Sequence, residues 1–64
     1  MCEANVYLLK DGQEELFLEA VDKVEPDDGG LRLTSLYGEQ KSIKARITRL
    51  SLIDHRVIIE QAED

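Results

Sequence analysis

EELFLEAVDKVE, residues Glu14 to Glu25, is the stretch on which the fold turns. Its apolar residues at 16, 17, 20, 21 and 24 repeat with a helical period, and Glu, Leu and Ala are good helix formers. Read alone, the segment fits a helix of about three turns. Directly before it stands Asp11-Gly12, a pair suited to a two-residue hairpin turn, and a hairpin demands a strand straight afterwards. On that second reading Leu16-Phe17-Leu18 is a short strand and Ala20 to Glu25 another, with a corner between them. Pro26 ends either element. The residues of the segment leave both readings open.

The rest of the chain alternates as strands do. Cys2, Ala4, Val6 and Leu8 fall on one face ahead of the Asp11-Gly12 turn. Leu31-Arg32-Leu33-Thr34 alternates, as do Ile43, Ala45 and Ile47. Further turns are marked by Asp27-Asp28-Gly29-Gly30, Gly38 and Asp54-His55. Leu50 and Leu52 follow Ile47 out of phase, which predicts a bulge or bend near Thr48 of the kind that curls small sheets into barrels. Val57-Ile58-Ile59 reads as a short buried strand.

A chain of 64 residues reads as one domain, residues 1–64, and a domain of that size buries only about 60% of the surface its unfolded chain exposes. Such domains commonly need a disulfide, a metal or a partner subunit. One cysteine allows no disulfide within the chain, which fits a reducing, cytoplasmic setting. The apolar runs are far too short to span a bilayer, and Glu3, Lys10 and Asp11 stand where an export signal would be greasy. Neither a membrane span nor an export signal is expected.

Eight Lys and Arg against fourteen Asp and Glu give a net charge of −6, the opposite of the balance expected in a protein that grips phosphate backbones. Lys41, Lys44, Arg46, Arg49 and Arg56 do form a local basic strip, which on alternating strand positions reads first as a solvated face. Enzyme motifs are missing. The four glycines are scattered in turns rather than gathered in a phosphate loop, and three serines share a single histidine. A non-catalytic binding protein is expected.

Cys2 is the remaining chemical feature. Its plain reading is a small buried hydrophobe on the first strand. Its chemical reading rests on neighbours: the amine of Met1, the amide of Cys2 and the Cys2 thiolate can close two fused five-membered rings on one metal. Without Met1, the Cys2 amine and thiolate still close one. Nitrogen and thiolate donors in a flat array suit Ni(II) or Cu(II). Both donor types must lose protons, the free groups titrating near about 8 and 8.5, so affinity is expected to rise with pH. One chain offers too few donors for a closed site, and two Cys2 residues across a dimer axis would fill it. An intersubunit Cys2 disulfide is a third, redox-linked reading. His55 is placed in an exposed turn, and its imidazole would be a further metal donor if that turn lay near Cys2.

Met1-Cys2, the Val6-Tyr7-Leu8 strand, Asp11-Gly12 with Glu14-Glu15, and Leu33 through Leu36-Tyr37-Gly38-Glu39 together resemble the CooT family. So do Arg46-Ile47, Leu50, Leu52-Ile53-Asp54 and His55 through Ile59-Glu60. The resemblance runs from Met1 to about Glu60. It implies a small cytoplasmic nickel-binding protein associated with maturation of the nickel enzyme carbon monoxide dehydrogenase, acting as a metallochaperone rather than an enzyme. It also implies a homodimer of small SH3-like or Sm-like β-barrels. The family's nickel ligand maps onto Cys2, and no other ligand is carried over. The family's RNA-binding label, drawn from its Sm-like fold, is opposed here by the acidic balance. A Sm-like module for RNA or a protein partner, with Cys2 merely packed, is the competing function.

The resemblance also decides the opening segment. Residues 14 to 25 are expected as two strands with a corner, within an all-β barrel of five to seven short strands. The expected core is Val6, Leu8, Leu16, Leu18, Val24, Leu33, Ile43, Ile47, Leu50, Leu52, Val57 and Ile59. Tyr7, Leu9, Leu36, Tyr37 and Ile58 are expected on the face that a second subunit covers.

Overall fold

The computed structural model describes residues 3–61, and every regular element in them is a strand. They are β1 (Ala4–Lys10), β2 (Gln13–Asp27), β3 (Gly30–Ser35), β4 (Gln40–Ile43), β5 (Ala45–Ser51) and β6 (Arg56–Gln61). One sheet holds all six in the order β4-β3-β2-β1-β6-β5. β1 to β4 form an antiparallel meander, β6 adds to β1 in parallel, and β5 pairs antiparallel with β6.

That order forces the sheet to curl. β4 and β5 are its two opposite edges, yet Lys44 alone separates them in the chain. Consecutive Cα atoms are about 3.8 Å apart, so the edges must be brought round to each other. Gly30 sits at this closure. A Cβ on Gly30 would collide with the carbonyl oxygen of Ile43 and lie 2.8 Å from the Cα of Lys44, so the strands come this close only because position 30 has no side chain.

Two tight turns set the meander. Asp11 and Gly12 both take positive φ (53° and 78°), as do Asp28 and Gly29 (51° and 84°). Paired left-handed residues match the twist of the strands they join, and Asp-Gly is well suited to that conformation.

The Glu14–Glu25 segment is strand throughout, and its corner is at Ala20, where φ is 58°. β2 is one long strand rather than two. Its first half pairs with β1 and its second with β3. Ala4 faces Val21 while Val6 faces Leu18, so Glu19 and Ala20 together oppose Asn5. An extra residue also enters at Phe17, since Val6 faces Leu18 and Tyr7 faces Leu16, and a further shift occurs between Val21 and Lys23. Bulges bend the strand that carries them and increase its twist. The phase slip at Thr48 is likewise a bulge, Ile47 facing Ile59 and Arg49 facing Ile58.

The core comprises Val6, Leu18, Val21, Leu33, Ala45, Val57 and Ile59, with Ala4, Leu8, Phe17, Leu31 and Ile43 packed against it. Five residues expected inside are exposed: Leu16, Val24, Ile47, Leu50 and Leu52. The bulge at Phe17 turns Leu16 to the face opposite Leu18. Ile47 and Leu50 lie across from Ile59 and Val57, but on an edge strand with only one neighbour. Leu52 belongs to the turn before β6. Val24 lies across from Leu33 but beyond the corner, where the sheet leaves it 38% exposed.

Ile58 corrects the expectation the other way. It is 4% exposed, although it points away from Val57 and Ile59. On that outer face it lines a shallow cleft with Glu14, Arg49, Ser51, Asp54 and Arg56. The Arg56 guanidinium lies 4.6 Å from the centre of the Tyr7 ring, and its Nη1 is 3.4 Å from Glu14 Oε1. Long polar side chains can shield apolar surface in this way while keeping their charges in water.

These positions predict a contrast in urea denaturation. Ile58→Ala should cost about 2 kcal/mol or more, as loss of a buried branched side chain does. Leu52→Ser should change stability by no more than about 0.5 kcal/mol.

Candidate metal-binding end of the barrel

The corner of β2 and the head of β1 meet at one end of the molecule. Bulging at Glu19-Ala20 takes the Ala20 N–H out of the regular ladder, and it donates instead to Asn5 Oδ1 at 3.1 Å. The Ala20 carbonyl accepts from the Leu36 N–H at 2.8 Å. The Asn5 N–H donates to the His55 carbonyl at 2.9 Å. A continuous path of hydrogen bonds thus joins the turn after β3, the corner of β2, the head of β1 and the turn before β6.

Side-chain oxygens fasten both turns. Ser35 is buried, and its Oγ accepts from the Tyr37 and Glu39 N–H groups at 3.1 and 3.2 Å. Ser51 Oγ accepts from the Asp54 N–H at 3.3 Å. His55 closes the second turn in a left-handed conformation, φ 54°. Its ring Nδ1 lies 3.1 Å from the carbonyl oxygen of Glu3. A carbonyl oxygen only accepts, so in this contact Nδ1 is the donor.

Beside this contact runs an apolar groove of about 250 Å³. Ala4, Val21, Leu50 and Leu52 line it, with Glu3 and His55 among its polar members. Leu52 and Ile53 are 78% and 91% exposed, and Tyr37 on the neighbouring turn is 83% exposed.

Cys2, the ligand indicated by the sequence, lies outside the described residues. It is joined by a peptide bond to Glu3, the residue that His55 holds. Among the described residues no three His, Cys, Asp or Glu side chains converge as a metal site. A metal at this end would therefore have to draw on the N-terminal residues. The link between His55 and Glu3 spans 52 positions and has no signature in the sequence.

Three members of the basic strip are engaged inside the chain. Lys41 Nζ donates to the Phe17 carbonyl at 3.0 Å and lies 4.9 Å from the centre of the Phe17 ring. Arg46 pairs with Glu60 at 2.9 Å, and Arg56 with Glu14. No helix of the described residues is long and apolar enough to cross a membrane.

Comparison with known proteins adds the following. The sequence model of the family described as "CO dehydrogenase accessory protein CooT" matches residues 1–60. A crystal structure described as a candidate CooT from Carboxydothermus hydrogenoformans is 47% identical and superposes with a TM-score of 0.91, covering 97% of this chain and all of that one. A protein of Methanothermobacter thermautotrophicus, described as uncharacterised, is 37% identical over 60 residues, 94% of this chain and 89% of its own length.

Asn5 is predicted to hold the corner. Asn5→Ala leaves the Ala20 N–H without its acceptor and should cost about 1–3 kcal/mol in thermal or urea unfolding. Asn5→Asp keeps an acceptor oxygen and should recover most of that loss.

Proposed function

Because the chain belongs to the CooT family of CO dehydrogenase accessory proteins, we propose that it is a nickel carrier. It acts as a cytoplasmic homodimer that takes up Ni(II) on Cys2 and the nitrogens of the N-terminal segment. It releases the ion to a nickel enzyme such as carbon monoxide dehydrogenase, or to the proteins that mature it. Nickel is here a cargo, and the protein performs no catalysis on it.

The observation that carries this reading is the family match from residue 1, which includes Cys2. Three physical arguments support it. Thiolate with amine and amide nitrogen is a donor set suited to Ni(II). Cys2 directly precedes Glu3 in the chain, and the Glu3 carbonyl is bonded to His55 at the entry to β1. Cargo must also leave, and a site built from few donors is easier to disassemble than a closed cage.

Dimerisation is supported by the apolar surface at the same end. Leu50, Leu52 and Ile53 are exposed there, and covering such surface across a two-fold axis is the commonest solution for a small protein. A two-fold axis near the N-terminus would bring two Cys2 residues to one ion. RNA binding is the less favoured reading, since Lys41, Arg46 and Arg56 are already engaged within the chain.

Nickel titration of the purified protein is expected to produce thiolate-to-metal charge-transfer absorption that saturates at half an equivalent per chain, and to bind more tightly as pH rises. Cys2→Ser should abolish the absorption and leave folding unchanged. Unchanged nickel affinity in Cys2→Ser would overturn the proposal.

A further inference from the structure

β5 ends the sheet with β6 as its single neighbour, so from Arg46 to Leu50 the outer edge of its backbone has no strand partner among the described residues. Its side chains sort by face. Ile47 and Leu50 lie across from Ile59 and Val57 on the core side, while Arg46 and Arg49 lie across from Glu60 and Ile58 on the outer side. Ile47 and Leu50 are nevertheless 44% and 58% exposed, because no further strand covers their flank. β5 thus carries the apolar pattern of an interior strand at an edge.

A free edge offers its N–H and C=O groups to any extended segment, and proteins guard such edges with charges, bulges or prolines. The guards here are selective. β5 holds two arginines and neither an acidic residue nor a proline, with Lys44 directly before it, in a chain of net charge −6. A second β5 laid alongside would add its own arginines to the same face, and like charges facing one another across strands are destabilising. An acidic strand would meet the opposite sign. Arg46 already pairs with Glu60 at 2.9 Å, whereas Arg49 has no ion pair among the described residues.

We propose that the free edge of β5 is a docking site for an extended, acidic segment of a partner protein, added to the sheet as a further strand. The segment's backbone pairs with β5 between Arg46 and Leu50. Its acidic side chains lie on the outer face beside Arg49 and Arg46, and its alternate, apolar side chains cover Ile47 and Leu50. Main-chain bonds supply the attachment, and the alternation of acid and apolar residues supplies the selectivity. Nickel plays no part in this contact, so it is tested on metal-free protein.

The probe is a synthetic peptide of seven residues, the length of β5, alternating Val and Glu and blocked at both ends. In amide NMR it should shift the resonances of β5 and slow the exchange of the outward N–H groups. Replacing its Glu residues by Lys, or reversing the protein's charge with Arg49→Glu, should weaken binding about ten-fold or more. Lys23→Glu makes the same charge change on β2, which β1 and β6 separate from β5, and should weaken binding no more than about two-fold. Alternate residues of a strand point their N–H groups to the same edge. N-methylating either the Val or the Glu residues therefore blocks one edge of the peptide at a time. One of these two peptides should fail to bind, and the other should bind as the parent does.

Equal affinity for the Glu and Lys peptides would overturn the proposal without any variant, and so would equal affinity in Arg49→Glu and native protein. Binding by both N-methylated peptides would overturn the added strand. If every β5 amide is already slow to exchange before peptide is added, a second copy of the chain holds the edge and the proposal fails. It fails too if a short polyuridine shifts the β5 resonances and the peptide does not.

Discussion

Ala20 holds a backbone conformation that costs an L-residue about 1–2 kcal/mol, and the rest of the molecule is arranged around that corner. It divides β2 into a half that pairs with β1 and a half that pairs with β3. Together with the bulges near Phe17, Val21 and Thr48, it bends the sheet so that Lys44 can bridge the two edges. The compensation is local. Asn5 Oδ1 accepts the N–H freed by the bulge, and the Leu36 N–H donates to the Ala20 carbonyl, so neither polar group at this nearly buried corner lacks a partner.

The same corner organises the end of the molecule where function is proposed. Asn5 is the first residue of β1 to pair with β6, and it binds Ala20 through its side chain and His55 through its backbone. The head of β1 is therefore braced from two sides, by the corner and by the turn before β6. The residue that follows Cys2 in the chain, Glu3, is tied to the same brace through His55.

Much of the scaffold was legible in the residues. Asp11-Gly12 and Asp28-Gly29 announce their turns through the chemistry of positive φ, and the slip between Ile47 and Leu50 announces the bulge at Thr48. The helical period of residues 16 to 24 was misleading for a physical reason. Extra residues at Phe17 and at Glu19-Ala20 stretch the two-residue period of a strand into spacings of three and four. Only the family resemblance chose between the readings. Burial at the edges was not legible either. Ile47 and Leu50 face the core side on β5, and nothing in their pattern says that β5 has no outer neighbour. Ile58 owes its burial to the polar outer face it shares with Arg49 and Arg56, which alternation alone assigns to solvent. At the proposed site, residue type and position point to Cys2, which lies outside the described residues, whereas the bond from His55 to Glu3 accompanies the parallel pairing of β1 with β6.

Nickel held by sulfur and nitrogen at the head of β1 is the claim on which the functional account stands. X-ray absorption at the nickel edge of the loaded protein tests it most directly, because sulfur and nitrogen scatterers differ in both distance and strength. The account predicts sulfur together with nitrogen in the coordination shell, with the sulfur lost in Cys2→Ser. A shell made wholly of nitrogen and oxygen in the native protein would contradict it.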